Sequence, residues 1–197
     1  HQRIVEVPIT LYKDGRSRPP HLRTWRDGWR HLRFMLAYAP NWVFLVPGGI
    51  LTVLGAAVLA WLIPGPQQVG GVTFDINTMM VAAATLLFGV QVVLFGLLAK
   101  KYLVATRLVP DTASFAKIDK IMTLEYGLLV AFVLLAIGIF QIMHVFTSWQ
   151  QVDFNDLDPT QSARQTITGA VAVILAGQIG FTSLFLSILG LNIRNRS

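Results

Sequence analysis

Four stretches of the chain are apolar from end to end and contain no Asp, Glu, Lys or Arg: Trp42 to Leu62, Met79 to Ala99, Tyr126 to Phe146 and Ile167 to Leu191. Each meets the roughly 20 residues that a helix needs to cross a bilayer core about 30 Å thick. None shows the apolar/polar alternation of a barrel strand. The pattern therefore predicts four transmembrane helices.

The first 36 residues have a different texture. Arg3 to Leu11, RIVEVPITL, roughly alternates and is rich in β-branched residues, which predicts a strand that Pro8 confines to an edge or an end. A lone strand has no hydrogen-bonding partner, so this one implies further sequence to pair with. Tyr12 to Pro20 is a polar loop with turn chemistry at Asp14-Gly15 and a stop at Pro19-Pro20. From Leu22 the period becomes helical, with Leu22, Trp25, Trp29, Leu32 and Leu36 on one face. Arg23, Arg26, Arg30 and Arg33 form a stripe beside it. Trp rings favour the headgroup region and Arg heads reach lipid phosphates, so the helix reads as an amphipathic segment in the membrane interface. A surface helix of a soluble domain, packed by Trp25 and Trp29, would carry the same pattern.

Composition agrees with the spans: of 197 residues 54% are hydrophobic and 13% charged, against about a quarter charged in a soluble domain. The net charge of +6 gains meaning from its placement. Fifteen of the 16 Lys and Arg lie in the N-terminal segment, in the loop between the second and third spans, or in the tail. Arg164 is the exception, beside Asp153, Asp156 and Asp158 in the last loop. Retention of basic residues on the cytoplasmic side then places both termini there. That topology already accounts for the charge, so nucleic acid is not an expected partner. The chain has no cysteine, which excludes disulfides and thiolate chemistry, and its four histidines lack the spacing of a metal site. Within the spans Gln91, Gln141, Gln178 and His144 suit hydrogen bonds between helices.

The candidate chemistry lies in the basic cluster before the first span: Arg16, Ser17, Arg18, Arg23, Arg26 and Arg30. Guanidinium groups grip phosphate oxygens at two points, which suits the phosphate of a lipid whose tail stays in the bilayer. Attraction to anionic headgroups accounts for the same residues less specifically.

The succession of EVPIT (Glu6 to Thr10), GRSR (Gly15 to Arg18), LRTWRDGWRHLRF (Leu22 to Phe34) and transmembrane helices resembles family 2 glycosyltransferases that use polyprenyl phosphate, relatives of the dolichyl-phosphate mannose and glucose synthases. The resemblance covers about residues 1 to 40. It implies a cytoplasmic GT-A domain whose last strand is EVPI-like and whose next loop carries a Gly-x-Ser-Lys-like motif near the acceptor phosphate. Arg18 stands where Lys is common, which keeps the charge and changes the geometry. The family's acidic motifs for nucleotide sugar and divalent metal, magnesium or manganese, have no counterpart in these residues.

The expected fold is thus an α-helical membrane protein: residues 1–20 close a truncated GT-A domain with a strand and a basic loop, 21–36 form the interfacial helix, and 37–197 form four transmembrane helices. The chain begins with His1 and reads as a piece of a longer protein. The resemblance implies an enzyme, as the whole protein, that transfers a sugar from a nucleotide donor to a polyprenyl-phosphate lipid in cell-envelope glycan synthesis. The membrane would be a bacterial or archaeal plasma membrane, and a homo-oligomer is compatible with the pattern. Arg16, Ser17, Arg18, Arg23, Arg26 and Arg30 would contact phosphate or lipid, Trp25 and Trp29 would anchor, and metal and nucleotide would bind elsewhere. This piece alone would be inactive. The alternative is a noncatalytic four-helix protein that translocates or scaffolds lipid-linked sugars.

Overall fold

A computed structural model describes residues 24–106 and 123–194, with Thr10, Leu108 and Val109. The chain divides into two compact units, His1–Met35 and Leu36–Ser197. The expected strand over Arg3 to Leu11 lies outside the described residues except for Thr10, which is in no regular element. In the first unit α1 starts at Thr24 and runs on to Tyr38 (Thr24–Tyr38).

The second unit is α-helical, and its four long apolar helices cover the four expected spans. A turn of π-helix, Asn41–Leu45, leads into α2, Val46–Leu62. The wide turn sits just ahead of Pro47, which has no N–H to offer the carbonyl of the preceding turn. Two short strands follow, β1 (Gln67–Val69) and β2 (Val72–Phe74), paired antiparallel with Val69 opposite Val72. Gly70 and Gly71 join them with φ of 57° and 81°, the pair of positive angles that a two-residue hairpin turn needs and that glycine adopts without strain.

The remaining helices are α3 (Ile76–Ala105), α4 (Leu124–Gln151) and α5 (Pro159–Arg194). Thr123 caps α4, its hydroxyl accepting from Tyr126 N–H. After α4 the chain reverses through Asp153 and Phe154, both at positive φ. The Phe154 ring is held edge-on against Trp149, with centroids 5.0 Å apart, which offsets the cost of that backbone. Asp158 then caps α5: its Oδ1 accepts from Thr160 N–H at 2.9 Å, and Pro159 occupies the first helical position, where no N–H is needed.

Neighbouring helices run antiparallel as two hairpins, α2 with α3 and α4 with α5, and α3 packs on α5 to join them. The bundle core gathers Leu59, Leu62, Met79, Ala82, Ala83, Leu86 and Val171 from α2, α3 and α5. Lipid gives no hydrophobic force between helices, so close backbone approach must supply the packing energy. Small residues make this possible. Gly55 lies on Leu86, Gly89 on Leu51 and Thr52, and Gly138 on Gly169 and Val173. Gly48 packs as well, with a Cβ there falling 2.9 Å from Val92 and Val93, whereas a Cβ at Gly49 or Gly177 meets nothing within 4 Å.

Candidate functional site

On α1, Trp25 and Trp29 are one helical turn apart and largely solvent-exposed, at 90% and 61%. Arg26 and Arg30, also exposed, stand at the same spacing one position further on. Trp25 and Trp29 thus form one exposed row on the helix, and Arg26 and Arg30 a second row about 100° around it. Arg16, Ser17, Arg18 and Arg23 lie outside the described residues.

In the second unit, one buried cation lies toward each end of the bundle. Toward the end of α3, Lys100 is buried and its Nζ donates to Asn41 Oδ1 at 3.1 Å, tying α3 to the π turn. At the opposite end Arg164, in the second turn of α5, is buried too. Its Nη1 donates to the Leu62 carbonyl at the end of α2, and its Nη2 pairs with the Asp75 carboxylate just before α3. One guanidinium therefore joins three helices. Sequence reasoning set Arg164 beside its loop aspartates and did not pair it with Asp75. The signal was present: Arg164 is the single basic residue of the last loop, and Asp75 is an acid in a loop expected on the same side of the membrane.

Beside this pair opens a cavity of about 640 Å³, walled by the turn after α2, the second half of α4 and the start of α5. Gln141 and His144 face it from α4, and Gln161, Gln165 and Thr168 from α5. The expected interhelical amides behave unequally. Gln178 Nε2 donates to the Leu87 carbonyl at 3.4 Å across the α3–α5 contact, whereas Gln91 is exposed on the bundle surface. Among the described residues, the Oε1 atoms of Gln141 and Gln178 are buried without a partner. Among the described residues no group of three or more His, Cys, Asp or Glu is arranged to hold a metal ion.

Residues 97–190, from the last turns of α3 through α4 and most of α5, match the family described as the glycosyltransferase family 2 C-terminal transmembrane region. Residues 97–190 are of the family 2 glycosyltransferase C-terminal transmembrane type. Over 190 residues the chain is 33% identical to the low-salt glycan biosynthesis hexosyltransferase Agl6 of Haloferax volcanii. That similarity takes in 95% of this chain and 44% of the relative, so the chain spans less than half of the relative's length. No solved structure matches the chain. The aligned length reaches well beyond the family 2 transmembrane region itself, which extends the likeness past the matched helices.

Proposed function

We propose that this chain anchors a transferase that moves a hexose from a nucleotide donor to the phosphate of a polyprenyl lipid at the cytoplasmic face. The similarity to a hexosyltransferase over nearly the whole chain carries this reading. The physical support is α1, which sets Trp25 and Trp29 beside Arg26 and Arg30. Tryptophan seats at headgroup depth, so α1 fixes the height of the reaction above the bilayer, while its arginines hold lipid phosphate in the same plane. Arg16, Ser17, Arg18 and Arg23 complete the phosphate grip, and nucleotide and divalent metal bind the catalytic domain of the whole protein.

The test is transfer from a nucleotide hexose to polyprenyl phosphate by the full-length protein in membranes. Arg16→Lys and Arg18→Lys keep the charge but lose the two-point contact, so each is expected to lower the rate by roughly tenfold or more, with membrane partitioning unchanged. Full activity in both variants would leave only electrostatic anchoring, in which each cation adds about 1 kcal/mol whatever its shape.

Orientation has its own test. Reporter tags after Pro66 and Asp156 are expected to be reachable from outside the cell, and tags at Lys117 and the C-terminus to be protected. A protected tag at Pro66 would reverse the assigned faces.

A further inference from the structure

The cavity beside Arg164 lies at the opposite end of α3 from Lys100 and Lys101, away from the basic residues of that helix. At about 640 Å³ it falls within the range of small-molecule sites and equals roughly twenty water volumes. Its polar wall consists largely of amide, imidazole and hydroxyl groups, from Gln141, His144, Gln161, Gln165 and Thr168. Such groups both donate and accept, which matches hydroxyls, themselves donors and acceptors at once. Gln141 lines the cavity, and its Oε1 is buried with no hydrogen-bond partner among the described residues, an acceptor that a turn of the amide toward the cavity would offer to a ligand's donor.

The fixed charges select against an anion. Arg164 lines the cavity, but Asp75 balances its charge, and Asp158 adds a further carboxylate to the wall. A phosphate there would meet no net positive field. Phe140, also in the wall and largely exposed, offers a flat apolar surface of the kind on which the C–H face of a sugar ring rests.

We propose that this cavity binds a neutral polyhydroxylated group, a sugar. The sugar is either the headgroup of a lipid in the bilayer or a free glycoside from the aqueous side. Such a site goes beyond the transfer reaction and does not rest on it, since it requires neither nucleotide nor acceptor phosphate.

The experiment uses the full-length protein in nanodiscs with two probes, monoglucosyl diacylglycerol in the bilayer and methyl glucoside in solution, and with phosphatidylglycerol as competitor. Bound lipid is read by native mass spectrometry and bound methyl glucoside by saturation-transfer NMR. At least one glucoside is expected to bind, with phosphatidylglycerol failing to displace it. Binding of the lipid alone identifies the bilayer as the source, and binding of methyl glucoside identifies the aqueous side. Gln141→Leu and Gln165→Leu are expected to weaken binding about tenfold, the loss of one or two hydrogen bonds. Gln141→Leu nearly keeps the side chain's volume and removes an unpaired buried oxygen, so its Tm should hold or rise while binding falls. Should Gln141→Leu lower the Tm, Gln165→Leu and Gln161→Leu on the facing helix carry the test. Failure of both glucosides to bind, equal displacement by phosphatidylglycerol, or unchanged affinity in the folded leucine variants would each overturn the proposal.

Discussion

Leucine in place of Gly89 is expected to separate α2 from α3 and to cost about 3 kcal/mol of membrane-domain stability, with alanine there costing about 1–2 kcal/mol. A Cβ at Gly89 would run into the backbone of Thr52, and its distance to the Leu51 carbonyl carbon would be 2.9 Å. Backbone atoms cannot swing aside as a flexible side chain can, so the two helices must move apart. In lipid this separation forfeits dispersion contacts with no hydrophobic gain to replace them. The same geometry recurs at Gly55, whose Cβ would meet the Leu86 backbone, with the Ala82 carbonyl oxygen 2.9 Å away. Gly49 on α2 supplies the control, because a Cβ there meets nothing within 4 Å. Its replacement by alanine should leave stability unchanged or raise it slightly, since alanine is the better helix former. The measurement is thermal unfolding of the solubilised protein for Gly89→Ala, Gly55→Ala and Gly49→Ala. Equal Tm values across the three would show that α2 and α3 do not rely on this approach.

The four spans were legible because length and the absence of charge are decisive for a helix in a bilayer, and no tertiary detail is needed to apply them. Their ends were less so. The expected third span stopped at Phe146, yet α4 continues to Gln151, because a helix does not end where the hydrocarbon does. In the same way α3 carries Asn77 at one end and Lys100 and Lys101 at the other. α5 begins eight residues before Ile167, where Asp158 caps it, and this early start makes Gln161, Arg164 and Gln165 helical. The start was readable from the Asp-Pro pair, a cap followed by a first-turn proline. The hairpin at Gly70-Gly71 was readable too, from two glycines between β-branched Val69 and Val72. The pairing of Gly89 with Thr52 could not be read, because helical spacing shows that small residues share a face without showing which helix receives it. The cavity beside Gln141 depends on the same missing knowledge. It lies where the second half of α4 and the start of α5 meet the turn after α2, a relation between elements far apart in the chain.

Arg164→Met is expected to be the most damaging single change at the hairpin end of the bundle. The guanidinium fork satisfies the Leu62 carbonyl, one of the acceptors that a helix C-terminus leaves without an internal partner, and at the same time neutralises Asp75. Methionine matches the stem and removes both functions, leaving the Leu62 carbonyl with only the long bond from Gly65 N–H at 3.3 Å and a carboxylate without its counter-charge. Breaking a fully buried pair from one side costs about 3–5 kcal/mol, but the Asp75 side chain is 38% exposed and water screens it. The expected loss is therefore about 2–3 kcal/mol. Arg164→Lys should fall between, since an ammonium keeps the charge and cannot reach two acceptors in one plane. Asp75→Asn isolates the charge, because the amide oxygen still accepts while the ion pair is gone; its expected cost is about 1 kcal/mol. A double-mutant cycle between Arg164→Met and Asp75→Asn, followed by thermal or denaturant unfolding, separates the contributions. Once Arg164 is absent the Asp75 charge has nothing to pair with, so Asp75→Asn should then be neutral or stabilising. Strict additivity of the two substitutions would mean that the pair is a surface contact and that α5 is held to α2 and α3 by apolar packing alone.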